Sequence, residues 1–176
     1  MAVYIVCGQD NCGKSTLIDG MIKCNANPKR MVLHSSSPPK GVNALSWAKT
    51  HYKSVLETVG ALSSDGWDVY MDRAHIGECV YGPIYRGTSG DWVFELEDNI
   101  AQNDVFLITI VGTEKHLSMH DDGKSLSTDN WKRESLLFRE AHSKSSIHNK
   151  LLVELDCDFN GTQDTVTQFI TECENG

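Results

Sequence analysis

What the 176 residues lack narrows the reading first. No apolar run approaches the roughly 18 or more residues that would span a bilayer, so no membrane span is expected. The opening MAVYIVCG has no early positive charge ahead of its apolar stretch, as a secretory leader would, and a cytoplasmic protein is the expectation. The six cysteines (Cys7, Cys12, Cys24, Cys79, Cys157 and Cys173) include no CxxC pair and no zinc-ligand spacing. That argues against a disulfide framework or a metal knuckle and for reduced thiols. Positive charge is scarce as well: 16 Lys and Arg against 24 Asp and Glu leave a formal net charge of −8. Stable binding to a nucleic-acid backbone, which rests on clustered Lys and Arg, is therefore not expected. A phosphorylated ligand has to meet positive charge that is concentrated locally. Repeats, low-complexity tracts and linkers are also missing, and residues 1–176 read as a single domain.

Apolar runs of strand length recur instead. AVYIVC (2–7) is continuous and rich in branched residues, which suits a strand buried on both faces of a parallel sheet. RMVLH (30–34), WDVYMD (67–72), DVFLITIVG (104–112) and KLLVELD (150–156) supply four more. Between them, helical spacing runs from Lys14 to about Lys23, over 43–63, 92–102 and 130–145, and a last helix follows Gly161. Strands alternating with helices predict an α/β fold: a doubly wound, five-stranded parallel sheet with helices on both faces.

The chemistry begins where the first strand ends. Gly8, Gln9, Asp10, Asn11, Cys12, Gly13, Lys14 and Ser15 satisfy G-x-x-x-x-G-K-[ST], with a strand before and a helix after. Glycines let the backbone curl so that successive N–H groups point inward, and the helix N-terminus adds partial positive charge. A polyphosphate is expected there, held by Gly8, Asn11, Cys12, Gly13, Lys14, Ser15 and Thr16, with Lys14 reaching the β and γ phosphates. Ser15 offers its hydroxyl to Mg²⁺, and ATP with Mg²⁺ is the expected cofactor. A guanine-reading NKxD segment is absent, which counts against a GTPase.

The third strand runs into MDRAHIGECVYGPIYRG (71–87), which places Asp72 and Arg73 at its carboxyl end, the edge where parallel α/β sheets bind ligands. Asp72 can hold Mg²⁺ or its waters, or orient an acceptor oxygen, and Arg73 can clamp an acceptor phosphate. Glu78, Tyr81, Tyr85 and Arg86 follow within one short segment, with His75 nearby, a mixture suited to gripping a nucleoside and its phosphate. Tyr81 and Tyr85 serve equally well as packing residues.

With DR at the end of strand three and the phosphate loop ahead of it, the chain resembles the thymidylate kinase family of P-loop nucleoside monophosphate kinases, the short phage-type members in particular. The resemblance implies that Arg73 binds the acceptor monophosphate, that Asp72 lies near the transferred phosphoryl, and that Arg86 with Tyr81 or Tyr85 helps hold the nucleotide. It also implies a homodimer and a mobile lid, which falls on 116–130. Two departures stand out. HSSSPPKG replaces the arginine-bearing segment after strand two, leaving only Lys40 charged, and the lid stretch LSMHDDGKSLSTDNWKR offers Lys124, Lys132 and Arg133 where the family carries arginines. The donor base is expected near CDFNGT (157–162). The leading expectation is transfer of the ATP γ-phosphoryl to a deoxynucleoside monophosphate, dTMP or a related pyrimidine. A kinase acting on a nucleoside or modified-base hydroxyl, with Asp72 or Glu78 as base, and a non-catalytic nucleotide-binding module are the alternatives.

Overall fold

The computed structural model describes residues 1–121, 123, 128–156, 159 and 161–175. Strands β1 (Ala2–Gly8), β2 (Arg30–His34), β3 (Asp68–Asp72), β4 (Asp104–Gly112) and β5 (Asn149–Leu155) pair in parallel in the order β2-β3-β1-β4-β5. Around them lie α1 (Lys14–Cys24), α2 (Ala44–Ser64), α3 (Glu78–Tyr81), α4 (Glu114–His120), α5 (Trp131–Lys144) and α6 (Thr162–Asn175).

The apolar runs explain the layering. Every residue of β1 is buried, and its alternation sends Val3, Ile5 and Cys7 into a core with Leu56 and Val59 of α2 and Phe138 of α5. Ala2, Tyr4 and Val6 enter the opposite core with Leu17 and Ile18 of α1 and Val166 of α6. Each fully buried branched side chain contributes roughly 1.5–3 kcal/mol, so the centre of the sheet is a firm base for whatever its loops hold. The one polar residue in the middle of β4, Thr109, is paired with His142 Nδ1 on α5 at 2.9 Å. At the edge, β2 alternates instead, and Val32 stays 48% exposed.

The chain order reverses at β1, whose neighbours β3 and β4 are reached by different crossovers. The crevice beyond the carboxyl ends of β1, β3 and β4 is thus the topological switch point, where open α/β sheets take ligands.

Three stretches carry detail beyond the sequence expectation. The helix expected over 92–102 is a 3-10 helix, Asp91–Asn99, which buries Val93 and Glu97 and packs Phe94 and Leu96 against the core. Contacts made by the Glu97 carboxylate fix it. After β3 the chain makes consecutive helical turns: a 3-10 turn His75–Gly77, then α3, then a π-helical turn Gly82–Arg86. Gly77, Gly82, Pro83 and Gly87 mask these turns in the sequence. The stretch 116–130, expected as a lid, begins inside α4, which Thr113 caps by accepting from His116 N at 3.2 Å. Its end is a 3-10 turn, Thr128–Asn130. Asp122 and Lys124, with 125–127, lie outside the described residues, as do Cys157, Asp158 and Asn160 of the expected donor-base loop.

Candidate active site

The phosphate loop is shaped by close approach. Gly8 has φ 143°, and a Cβ there would sit 2.0 Å from the Ile110 carbonyl oxygen, so the loop leaves β1 pressed against β4. Gly13, at φ 67°, opens α1 and lies under the Phe159 ring, which a Cβ would meet at 2.5 Å. Among the described residues no side chain caps α1, and no acid lies in its first turn. The first N–H groups of the helix are left to the loop's concavity, where an anion would satisfy them. Asn11 takes a left-handed φ of 63° without being glycine, a strain of about 1 kcal/mol or more that is held at this loop.

Lys14 is only 6% exposed, and its Nζ donates to the Gln9 carbonyl at 2.5 Å. Burial lowers its pKa below the ordinary lysine value, and the nearby Asp10 carboxylate opposes the shift. A buried ammonium resting on a loop carbonyl has an obvious better partner in a phosphate. Cys12 beside it is an inert thiol, pushed up to about 11 by burial.

Gln9 is a residue that the motif pattern alone does not single out. It is fully buried, and its amide spans two elements: Nε2 donates to the Trp131 carbonyl at 2.7 Å and Oε1 accepts from Gly112 N at 3.1 Å. The loop is thereby clamped to the end of β4 and the start of α5.

Asp72 and Ser15 are brought together at the end of β3. Ser15 Oγ donates to Asp72 Oδ2 at 2.8 Å, and His34 Nδ1 approaches the same oxygen at 3.2 Å. Asp72 is 7% exposed, and its Oδ1 is buried with no hydrogen-bond partner among the described residues. An orphaned carboxylate oxygen next to the loop hydroxyl is a hard, anionic donor set, which fits Mg²⁺ with phosphate oxygens completing the shell.

Arg73 carries a left-handed φ of 66°, which turns its side chain from the end of β3 toward the loop. Its guanidinium donates to Asp10 Oδ1 at 2.7 Å. Asp10 is the second residue that sequence reasoning passed over. The signal was present, since an acid among the variable positions of an anion-binding loop is electrostatically costly unless a cation answers it.

The segment after β3 is more self-contained than its composition implied. Arg86 donates to Glu78 Oε1 at 2.7 Å, so both expected substrate residues hold each other. Glu78 is raised by burial, against the pull of Arg86, while Arg86 Nε is buried without a partner among the described residues. Tyr81 stacks on Tyr85 at 6.1 Å and meets Phe138 edge-on. The Tyr85 hydroxyl donates to Glu134 Oε1 at 2.5 Å. Glu134, from the first turn of α5, is raised by burial and by the charge of Asp10, so it belongs to the same electrostatic neighbourhood as the loop. His75, by contrast, is core: it is fully buried with Nε2 3.2 Å from Glu97 Oε1, and it does not reach the crevice edge. Lys132 and Arg133 are exposed on the first turn of α5.

A phosphate loop on a 2-3-1-4-5 parallel sheet, with an acid and an arginine at the end of β3, defines the P-loop kinase fold. Solved structures agree. The chain is similar to the YorR protein from Bacillus subtilis, in complex with phosphorylated GDP, at 20% identity and TM-score 0.64, over 98% of this chain and 97% of that one. Thymidylate kinase from Ehrlichia chaffeensis is similar at 12% identity and TM-score 0.64, over 96% and 98%. Polyphosphate kinase 2 from Arthrobacter aurescens TC1 is similar at 10% identity and TM-score 0.68, over 97% of this chain and 66% of that one. No family model matches the sequence, and no curated protein does. Among the described residues, no helix is long and apolar enough to cross a membrane.

Proposed function

We propose that the chain is a nucleoside monophosphate kinase that moves the γ-phosphoryl of ATP to the 5′ phosphate of a deoxynucleoside monophosphate, with dTMP and related pyrimidines as first candidates. The observation that carries this reading is the Arg73–Asp10 contact across the mouth of the phosphate loop. A guanidinium held there by a weak, part-exposed partner is ready to exchange it for a doubly charged phosphate, which it binds with two hydrogen bonds.

Little covalent chemistry falls to the protein in such a transfer, which rests on positioning and charge neutralisation. The loop amides and the start of α1 bind the donor phosphates. Lys14 leaves the Gln9 carbonyl for the β and γ oxygens. Arg73 fixes the acceptor, freeing the Asp10 carboxylate to accept from a hydroxyl of the bound nucleotide. Ser15 and Asp72 would hold Mg²⁺, which supplies neutralisation of the phosphate charge when bound. No general base is required, because the acceptor phosphate is already ionised. Tyr81 and Tyr85 would contribute stacked rings to the nucleotide pocket, while Glu78 and Arg86 would brace its wall.

A coupled ADP-release assay across the common and modified deoxynucleoside monophosphates tests the reading. Because the YorR neighbour holds a phosphorylated GDP, purine acceptors belong in that panel. ADP release that depends on one monophosphate and disappears in Lys14→Met supports the proposal. Nucleotide binding without release across the whole panel overturns it in favour of a non-catalytic nucleotide-binding module, and release that depends on a nucleoside or oligonucleotide overturns the acceptor assignment.

A further inference from the structure

At the opposite end of the sheet, where β1, β3 and β4 begin, a cavity of about 500 Å³ opens between the C-terminal halves of α1 and α6. One wall is aromatic. Tyr4, Tyr70 and Phe106 stand side by side on three neighbouring strands, with ring centroids 4.8 and 5.3 Å apart. Met21 and Ile170 continue the apolar lining. Tyr4 is only 7% exposed, yet its hydroxyl has no hydrogen-bond partner among the described residues, and it lines the cavity.

The charge around that hydroxyl is mostly negative. Asp68, Asp104 and Glu174 line the same cavity, and each pushes the Tyr4 hydroxyl toward its protonated form, as burial does first. Only the amino group of Met1, which acts on Asp68, opposes them among the lining groups. Arg30 lies nearby, but its guanidinium donates to the Ile22 and Asn25 carbonyls. Asp68 is held by Ala2 N and by the amides of Asn25 and Asn27, so it supplies field more than free lone pairs. Asp104 and Glu174 are exposed and free to turn inward.

This combination excludes a second nucleotide, whose phosphates the carboxylates would repel. Nor does it suit a bare metal ion, since among the described residues no three His, Cys, Asp or Glu side chains converge on one point. Carboxylates that share a cavity with an apolar wall match a cation whose charges are separated by hydrocarbon. We propose that this cavity binds an aliphatic diamine or polyamine, its ammonium groups facing Asp104 and Glu174, its methylenes against Phe106 and Ile170, and one nitrogen donating to the Tyr4 hydroxyl.

Titration calorimetry of the whole chain with spermidine and putrescine tests this, with butylamine and Mg²⁺ at matched ionic strength as controls. One-to-one binding is expected, tighter for spermidine than for butylamine, and weakened about fivefold to tenfold in an Asp104→Asn, Glu174→Gln double variant. Tyr4→Phe, which removes an unbonded hydroxyl and keeps the ring, is expected to weaken binding about threefold without changing the melting temperature. Absence of heat, equal affinity for Mg²⁺, or spermidine affinity unchanged in both variants overturns the proposal. The readout does not depend on phosphoryl transfer, so the two proposals stand or fall separately.

Discussion

The Ser15 hydroxyl donates to Asp72 Oδ2 at 2.8 Å, which ties the first turn of α1 to the end of β3 while Asp72 Oδ1 stays buried and, among the described residues, unpaired. Half of the carboxylate is thus used to position the loop, and the proposed function assigns the other half to a cation. Asp72→Asn keeps the shape and one oxygen but loses the charge. Its turnover is expected to fall about a hundredfold or more at fixed Mg²⁺, with the melting temperature changed little. Steady-state ADP release over a Mg²⁺ series checks this, and wild-type turnover in the variant would remove Asp72 from the site.

Lys14 gives a pH signature. Burial depresses its folded pKa, so the unfolded chain binds more protons than the ligand-free fold at pH values between the two. The stability of the ligand-free protein therefore rises with pH through that window, up to the ordinary lysine value of 10.5. A bound triphosphate favours the ammonium, so ATP affinity is expected to fall as pH rises through the depressed value, below where an ordinary lysine would titrate. Calorimetric affinities from pH 7 to 10 for the wild type and Lys14→Met test it: the pH slope is expected to vanish in the variant.

Arg73 separates binding from stability. Its ion pair with Asp10 is part-exposed, at 41% and 26% side-chain exposure, and contributes about 0–1 kcal/mol. Arg73→Gly also relieves a left-handed backbone, so unfolding by urea is expected to be unchanged or slightly harder. The acceptor KM is expected to rise about a hundredfold, since the variant would lose a charge-assisted bidentate contact to the acceptor phosphate. An unaltered acceptor KM would detach Arg73 from the acceptor.

Gly8→Ala makes the opposite kind of test. The added methyl would overlap the Ile110 carbonyl at a φ of 143°, so a loss of about 3 kcal/mol or more in unfolding free energy is expected. Chemical denaturation measures it directly, and a loss under about 1 kcal/mol would mean that the loop can move off β4.

Glu97 predicts behaviour in acid. Burial alone would raise its pKa, but hydrogen bonds from His75, Ser146 and Ser145 outweigh that and bring it below the ordinary glutamate value of 4.5. A depressed carboxylate stabilises the fold above 4.5, and that contribution is lost as pH falls through the folded value. Urea midpoints from pH 7 to 3 are expected to drop less steeply in Glu97→Gln than in the wild type.

How much of this was legible beforehand depends on what kind of signal each residue leaves. The strands of the central sheet were readable because burial on both faces writes itself as unbroken apolar runs such as AVYIVC and DVFLITIVG. The phosphate loop was readable because its backbone demands glycine at fixed spacing. The turns over 75–86 were not, since their glycines and proline argue locally for a loop and only tertiary contacts with α5 overrule them. Pairings across the chain left no trace at all: nothing in the letters joins Glu78 to Arg86 ahead of a ligand, Tyr85 to Glu134, or His75 to Glu97. Gln9 and Asp10 sat inside a recognised motif, at positions that the motif treats as interchangeable.

The Gln9 amide, closed on Gly112 at one end and Trp131 at the other, has a consequence for anyone engineering with this loop. Grafting the eight motif residues into a foreign scaffold would carry over the recipe without the mould. The smallest portable cassette is discontinuous: it takes in the last peptide of β4 and the first of α5, chain pieces more than a hundred residues downstream of the glutamine they grip.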